Sequence, residues 1–285
     1  MQTRWRAAFR WIATAAVLAA AACTAAETSP ADPESSGPDA STTSDAGATT
    51  TADSSTTPPA KGDAGAEAGT PGEILGTLSG SCGLLRSRLL DPAPALDHDT
   101  LTFIAGEMYV RTELSPDGQR LFDTPNAGGS STESEVMSLE VLRACEGAKL
   151  LKTETEILYG PPDDSGSSAI TDILVEIDGK RVGVSVTRAY KPKSQTLSDA
   201  DVEALLVKKL DGINHSSVRV LPADKWIRQI LHVFAVDKNA ADAVERVWKT
   251  LSPTLRADTL ILVTQTAGGG FIYCNPDPPL GSECN

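Results

Sequence analysis

The sequence predicts a domain of the α/β class, built on a mixed sheet. From about residue 134 to residue 264, segments with a helical apolar repeat alternate with short β-rich runs. Asp178-Gly179 separates two of these runs, which is a strong signal for a β-hairpin. The last strands alternate with helices, as parallel strands do. We therefore expect helices packed on a sheet that combines antiparallel and parallel strands.

The N-terminal segment predicts export. Arg4, Arg6 and Arg10 form a basic region, and the apolar run that follows ends in three alanines at residue 22. This is the layout of a secretory signal peptide. The run is shorter than the roughly 20 residues that a transmembrane helix needs. Residues 1–22 are thus predicted to be a signal peptide.

Cys23 directly follows the three alanines. Small residues before a cysteine resemble the lipobox of bacterial lipoproteins, although Ala20 stands where that motif usually has Leu. The resemblance implies that Cys23 is lipidated and anchors the protein to a membrane of the bacterial envelope, with the domain in the periplasm or at the cell surface. The alternative is ordinary cleavage nearby, without a lipid.

After Cys23, the chain up to residue 71 is rich in Ser, Thr, Ala, Asp, Pro and Gly and has no aromatic residue. Such a segment buries too little apolar surface to fold, so 23–71 is predicted to be a lipidated, disordered tether. Residues 72–285 have the composition of a globular domain. With 21 basic and 30 acidic residues, this domain has a net charge of −9. The balance disfavours a broad nucleic-acid-binding surface and is compatible with a small basic cleft.

Four cysteines remain in the predicted domain: Cys82, Cys145, Cys274 and Cys284. An even number in an exported domain predicts two disulfides. Of the three possible connectivities we favour Cys274–Cys284, which closes a short proline-rich loop, together with Cys82–Cys145. A metal site is disfavoured because no paired CxxC spacing is present.

Ahead of the core, residues 72–90 predict a lead-in segment with a short helix. Residues 100–112 predict a strand, and Ser115-Pro116-Asp117-Gly118 is a typical turn sequence. Residues 120–123 are then expected to form the partner strand. Together these elements predict an N-terminal β-hairpin extension.

The core elements have the order αβββαβαβ. Their signals are acidic first turns, apolar repeats, alternation and, at Ser198 and Asp201, a capping-box-like helix start. We expect a helix at 134–145, strands at 152–159, 170–177 and 180–190, a helix from 198 to near 212, a strand at 229–236, a helix at 240–251, a strand at 259–264 and an edge strand at 271–274.

Three polar residues share one face of the central hairpin. With Asp178-Gly179 as a two-residue turn, Asp172 lies opposite Ser185, and Thr187 follows on the same face. This pattern resembles the restriction-endonuclease-like, or PD-(D/E)xK, superfamily, and the resemblance covers about residues 134–264. Asp172 stands where the family has its Asp, Ser185 and Thr187 where it has the second acid and the lysine, and Glu135 where it has a helix acid. The resemblance implies that Asp172 and Glu135 hold Mg²⁺ or Mn²⁺.

The departures from the motif change the expected function. Ser185 offers a neutral hydroxyl and Thr187 no positive charge, so metal-assisted hydrolysis lacks two of its groups at these positions. We expect a catalytically inactive binding module without a cofactor, for an unidentified protein or envelope partner. Asp172 would then bond Ser185 or Thr187 across the hairpin.

The alternative is a secreted metal-dependent nuclease whose catalytic residues have migrated. The second carboxylate would then come from Glu135, Glu154 or Glu156, and the cation from Arg188, Lys191 or Lys208. The three histidines have no metal-binding spacing, and His232 within an apolar strand is expected to be structural.

Overall fold

The computed structural model describes residues 76–104, 110–127, 132–192 and 194–274. The predicted signal peptide, the tether with Cys23, and Cys284 lie outside these residues. Within the described ranges, no helix is long and apolar enough to cross a membrane.

A seven-stranded mixed sheet organises the domain, in the order β1-β2-β7-β6-β5-β4-β3. The strands are β1 (Thr77–Gly80), β2 (Ala95–Thr102), β3 (Lys149–Thr153), β4 (Ile173–Ile177), β5 (Lys180–Ala189), β6 (Arg228–Ala235) and β7 (Leu260–Ala267). The parallel pairs are β2 with β7, β7 with β6 and β6 with β5. The antiparallel pairs are β1 with β2, β3 with β4 and β4 with β5. The mixed α/β class predicted from the sequence is confirmed.

Helices cover both faces of this sheet. They are α1 (Leu85–Arg88), α2 (Pro116–Asp123), α3 (Thr132–Glu146), α4 (Asp199–Arg219), α5 (Lys238–Thr250) and α6 (Pro253–Arg256), with 3-10 turns at Arg111–Glu113 and Gly270–Tyr273. Apart from the one-turn α6, the order from α3 to β7 is αβββαβαβ, as predicted. One apolar core lies between the sheet and α3, and a second between the sheet and helices α4 and α5.

The predicted N-terminal hairpin is wrong in its residues. Residues 120–123 belong to α2, because the Ser115 hydroxyl accepts the Gly118 N–H and Pro116 occupies the first turn, which makes this sequence a helix start. An antiparallel pair does extend the sheet, but it consists of β1 and β2. Residues 105–109 lie outside the described part of the chain.

Three other boundaries differ from the prediction. Strand β3 ends at Thr153, where a turn begins that Glu156 closes by accepting the Thr153 N–H at 2.9 Å. Helix α4 continues through Gly212 to Arg219, because its buried face extends to Ile213 and Ser216. The expected edge strand at 271–274 is a 3-10 turn.

The disulfide Cys82–Cys145 is confirmed and joins the segment before α1 to the last turn of α3. Cys274 is disulfide-bonded as well. Its predicted partner, Cys284, lies outside the described residues, so this second pairing stays a prediction.

Candidate functional site

The central hairpin has the predicted register. Ile177 pairs with Lys180 and Ile173 with Val184, which places Asp172 beside Ser185 at the open end of the hairpin. The Asp172 carboxylate accepts the main-chain N–H of Val186 through Oδ2. In the described structure, no hydrogen bond joins it to Ser185 or Thr187, so the expected bonds across the hairpin are absent there.

Lys209 of α4 reaches the same residue of β5. Its Nζ donates to the carbonyl oxygen of Val186 at 2.9 Å. The N–H and C=O of one residue in an antiparallel pair point to the same side. Lys209 and Asp172 therefore meet at one edge of β5, just beyond the end of β4.

Burial raises the pKa of the Asp172 carboxyl, and the positive charge of Lys209 opposes that rise. The Val186 N–H also stabilises the ionised form. Lys209 acts through its charge at a distance from the carboxylate. Asp172 is thus a carboxylate whose ionisation depends on nearby positive charge.

Glu154, directly after β3, joins this pair. One of its oxygens accepts the main-chain N–H of Ala127. Burial raises the pKa of its carboxyl, and the negative charge of Asp172 raises it further, while Lys209 lowers it. The positive charge of Lys209 therefore lowers the pKa of two partly buried acids, Asp172 and Glu154.

Glu135 of α3 flanks this group. Asn126 Nδ2 donates to its Oε1 at 2.9 Å, and the adjacent Ala127 holds Glu154. One loop thus carries contacts to both glutamates. Glu135 therefore lies at the border of the site, and one of its carboxylate oxygens already accepts a hydrogen bond from Asn126.

The other candidate carboxylate lies elsewhere. Glu156 accepts from the Arg120 guanidinium at 2.7 Å and from the Thr153 N–H. The pKa of its carboxyl is lowered, first by the Thr153 N–H, with Arg120 contributing as well. Glu156 therefore belongs to the turn after β3, where its carboxylate is paired with Arg120.

Two candidate cations are engaged away from Asp172. Arg188 donates to the carbonyl of Cys274 at 2.8 Å and at longer range to that of Ile272. Lys191 pairs with Asp201 at 2.8 Å. The positive charge that lowers the pKa of Asp172 and Glu154 is that of Lys209.

The cation at the site is Lys209, the neighbour of the candidate Lys208, and sequence reasoning missed it. A signal was present: position 209 falls on the apolar stripe of α4, between Leu206 and Ile213 at spacings of three and four residues. A charged residue on a buried helical face indicates a specific partner.

Ser185 and Thr187 are buried, with 5% and 7% exposure. His232 is structural as expected: its ring nitrogens contact the hydroxyls of Ser138 and Thr264 at 2.8 Å, and burial lowers its pKa to about 3. Among the described residues, no group of three or more acids, histidines or cysteines is arranged to hold a metal.

Comparisons with known proteins do not show the function of this chain. No protein-family model matches the chain. The chain is 40% identical over 167 residues to the AAC-rich mRNA clone AAC4 protein of Dictyostelium discoideum, covering 56% of this chain and 24% of that protein. The match therefore spans about a quarter of that relative's length.

Among solved structures, the chain is similar to Pyrococcus furiosus SfsA in complex with Ca²⁺, at 14% identity and a TM-score of 0.23. The similarity covers 48% of this chain and 57% of SfsA. The sheet and helix order define a mixed α/β protein, and its function has to be argued from the site.

Proposed function

We propose that the domain is a metal-dependent nuclease, in which Asp172 and Glu154 bind the cation and Lys209 takes the place of the missing lysine. The observation that carries this proposal is that the main chain of Val186 holds both Asp172 and Lys209, and that Glu154 lies near enough for both charges to affect its pKa. Ser185 and Thr187 lack the expected charges, but Glu154 and Lys209 supply them from other elements. The structure thus favours the alternative function over the inactive module.

The donor set suits a hard divalent cation. One oxygen of each acid is oriented by a main-chain N–H, from Val186 for Asp172 and from Ala127 for Glu154. Within the described residues, the second oxygen of each carboxylate has no hydrogen-bond partner. Mg²⁺ and Mn²⁺ prefer such oxygens, and Mg²⁺ keeps several waters when a protein supplies only one or two carboxylates.

A bound cation would polarise a phosphodiester and lower the pKa of an attacking water. The chain's own contribution is to position charge. Lys209, held by the Val186 carbonyl at 2.9 Å, would stabilise the negative charge that develops on a phosphate bound beside Asp172. Ser185 and Thr187 line the strand beside Asp172 without adding charge, and Glu135 braces the loop that orients Glu154.

The inactive binding module remains the second candidate. It is favoured by the acidic balance of the domain and by the lack, among the described residues, of a third metal-ligating side chain at the site. In that case the domain would bind a protein or envelope partner, and the two acids would be remnants of a metal site.

We further propose that the protein is exported and anchored through Cys23. The Cys82–Cys145 disulfide supports this location, because disulfides persist mainly in oxidising compartments. The tether would hold the domain away from the membrane.

Digestion of single- and double-stranded DNA and RNA with Mg²⁺, Mn²⁺ or EDTA tests the proposed activity. Wild type should cleave only with metal, and Asp172→Asn, Glu154→Gln and Lys209→Gln should each lose about 100-fold or more. Glu156→Gln is the matched control, because Glu156 lies in the adjacent turn with its charge paired, and it should retain activity. Metal-dependent cleavage that survives in Asp172→Asn, or no cleavage by the wild type, would reject the proposal.

A further inference from the structure

Two connected cavities lie beyond the proposed site, where the parallel strands end. The first, about 340 Å³, lies between the end of β5 and α4, and the second, about 490 Å³, lies at the ends of β5, β6 and β7. Tyr190, Lys191 and Leu197 line both. The two cavities therefore adjoin each other, and we call them together the strand-end groove. Crevices outside the carboxyl ends of parallel strands are a common place for ligands in α/β proteins.

The groove begins close to the proposed catalytic group. Val186, which holds both Asp172 and Lys209, precedes Tyr190 by four residues on β5 and its extension. At about 3.3 Å per residue, the two positions are roughly 13 Å apart. A chain of a few nucleotides bound at Asp172 would enter the groove.

The first cavity is predominantly basic. Arg188, Lys191 and Lys208 line it, with Asp201 as its acidic residue. Asp201 is engaged by Lys191 and by the capping interaction with Ser198, and its pKa is strongly lowered by these bonds. Lys208 is exposed, and on α4 it is adjacent to Lys209. Positive charge therefore extends from the proposed site into the groove, although the domain as a whole is acidic.

The second cavity has an aromatic wall. Tyr190 is partly exposed, and its ring lies 5.3 Å from that of Tyr273. Tyr273 also lines this cavity and is buried, with its hydroxyl 2.8 Å from that of Thr266, so it is a fixed neighbour that restrains the ring of Tyr190. A rigidly supported ring offers a stacking surface that any base can use.

The remaining lining of the second cavity includes two glycines and the start of α5. Gly268 and Gly270 lie on one side, and the first turn of α5 lies on the other. Asp237, at this helix start, is engaged as the N-cap by accepting the Ala240 N–H at 2.8 Å. The cavity thus has room for a flat ring beside Tyr190, within the usual range of ligand pockets.

We propose that the strand-end groove binds single-stranded nucleic acid, with one unpaired base stacked on Tyr190 and the backbone running past Lys208 to Asp172. The faces of a base within a duplex are covered by its neighbours, so only an unpaired or extruded base can stack on a side chain. This inference rests on the proposed nuclease function and narrows its substrate to single strands.

Fluorescence anisotropy of the full chain with a labelled oligothymidine, in EDTA to prevent cleavage, tests the groove. Tyr190→Leu keeps an apolar side chain but removes the ring, and it should weaken binding about tenfold. Tyr190→Phe keeps the ring and should bind like wild type. Lys208→Gln should reduce the salt dependence by about 0.7 in the log–log slope, while Lys180→Gln, at the distant turn of the hairpin, should not.

The outcomes separate the groove from the catalytic site. Three results would contradict single-strand binding by the strand-end groove, even if metal-dependent cleavage is found. They are tight binding of a duplex, no binding of single strands by the wild type, and equal single-strand affinity of Tyr190→Leu and wild type. Ring-dependent binding without any cleavage would support the groove and overturn the nuclease proposal.

Discussion

At the scale of single residues, Asp172 and Glu154 are carboxyls that the fold makes harder to ionise. Burial raises the pKa of both carboxyls, the charge of Asp172 adds to the rise at Glu154, and Lys209 opposes it at both. A group whose pKa is raised by folding binds its proton more tightly in the native state. Ionising it at neutral pH therefore lowers the free energy of unfolding.

This cost predicts the effect of neutralising Asp172. In EDTA at pH 8, Asp172→Asn should raise the melting temperature, because the amide removes the buried charge and its oxygen still accepts the Val186 N–H. Each kcal/mol gained corresponds to about 2–4 °C for a domain of this size. Thermal melting measures the change. A clearly lower melting temperature would instead indicate that Asp172 is a structural residue.

Asp99 on β2, remote from the proposed site, is another buried carboxyl whose ionisation is unfavourable. It is 2% exposed and its Oδ1 has no hydrogen-bond partner. Burial raises its pKa to about 7, and the charges of Glu146 and Asp97 add to the effect, while the Ser81 N–H lowers the pKa. Ionisation of Asp99 in the native state therefore lowers the free energy of unfolding.

The pKa of Asp99 predicts a pH dependence. In the unfolded chain its pKa is about 3.9, so between about pH 4 and pH 7 the native state holds the extra proton and stability falls as the pH rises. Asp99→Asn should remove a loss of up to about 4 kcal/mol above pH 7. Melting curves from pH 4.5 to 8.5 measure this difference. If the curve of Asp99→Asn stays parallel to that of wild type, as expected for the exposed control Asp164→Asn, the proposed pKa is wrong.

At the scale of elements, local signals were reliable and long-range partners were not. The Asp178-Gly179 turn determines the hairpin register through neighbouring residues only, and it was predicted correctly. The start of α4 is likewise local, since Ser198 and Asp201 cap each other. By contrast, Ser115-Pro116 is compatible with either a turn or a helix start. In the structure Ser115 caps α2, and Glu140 of α3 holds this cap by accepting the Ser115 N–H at 3.0 Å, a contact that the local sequence does not reveal.

The residues of the candidate site also differ in whether local sequence or long-range packing positions them. Asp172 was predicted because its place depends on the hairpin alone. Lys209 was missed because its contact with Val186 requires α4 to pack across β5 at one particular depth. Glu154 was one of three open candidates, and its selection depends on the loop at Ala127, which contacts it across 27 residues of sequence.

The disulfide reinforces the junction between α1 and α3. Next to Cys145, Glu146 accepts the N–H groups of Gly83, Leu85 and Arg86 at 2.9, 3.3 and 3.0 Å, and so caps α1. Replacing both Cys82 and Cys145 by Ser should lower the free energy of unfolding by about 2–5 kcal/mol. Denaturant unfolding with and without reductant measures the loss, and wild type should approach the variant when reduced. Equal stability of variant and oxidised wild type would contradict this role.

At the scale of the whole molecule, the sheet separates two apolar cores and brings the candidate site and the strand-end groove to one edge. The open end of the β4–β5 hairpin and the carboxyl ends of β5, β6 and β7 coincide there, because β4 runs antiparallel to its neighbour. The apolar patterns and the order of elements predicted the class of the fold, and composition predicted only an acidic domain. It could not predict this local basic groove, because net charge averages over the whole surface.

Export and anchoring also concern the whole molecule. If Cys23 is lipidated, mass spectrometry of the mature protein should find an acylated N-terminal Cys23, and Cys23→Ala should move the protein from the membrane to the soluble fraction. Cys82→Ala serves as a control for loss of a different cysteine and should stay with the membrane. An unmodified mature N-terminus at another residue would contradict the anchor.

The central claim is that Asp172 and Glu154 together form one cation site. Titration of Mn²⁺ into the full chain by calorimetry, with Asp172→Asn and Glu156→Gln in parallel, tests it most directly. We expect saturable binding by wild type and by Glu156→Gln, and its loss in Asp172→Asn, because this variant removes one of the two anionic ligands. No saturable binding by wild type, or equal binding by Asp172→Asn, would contradict the claim.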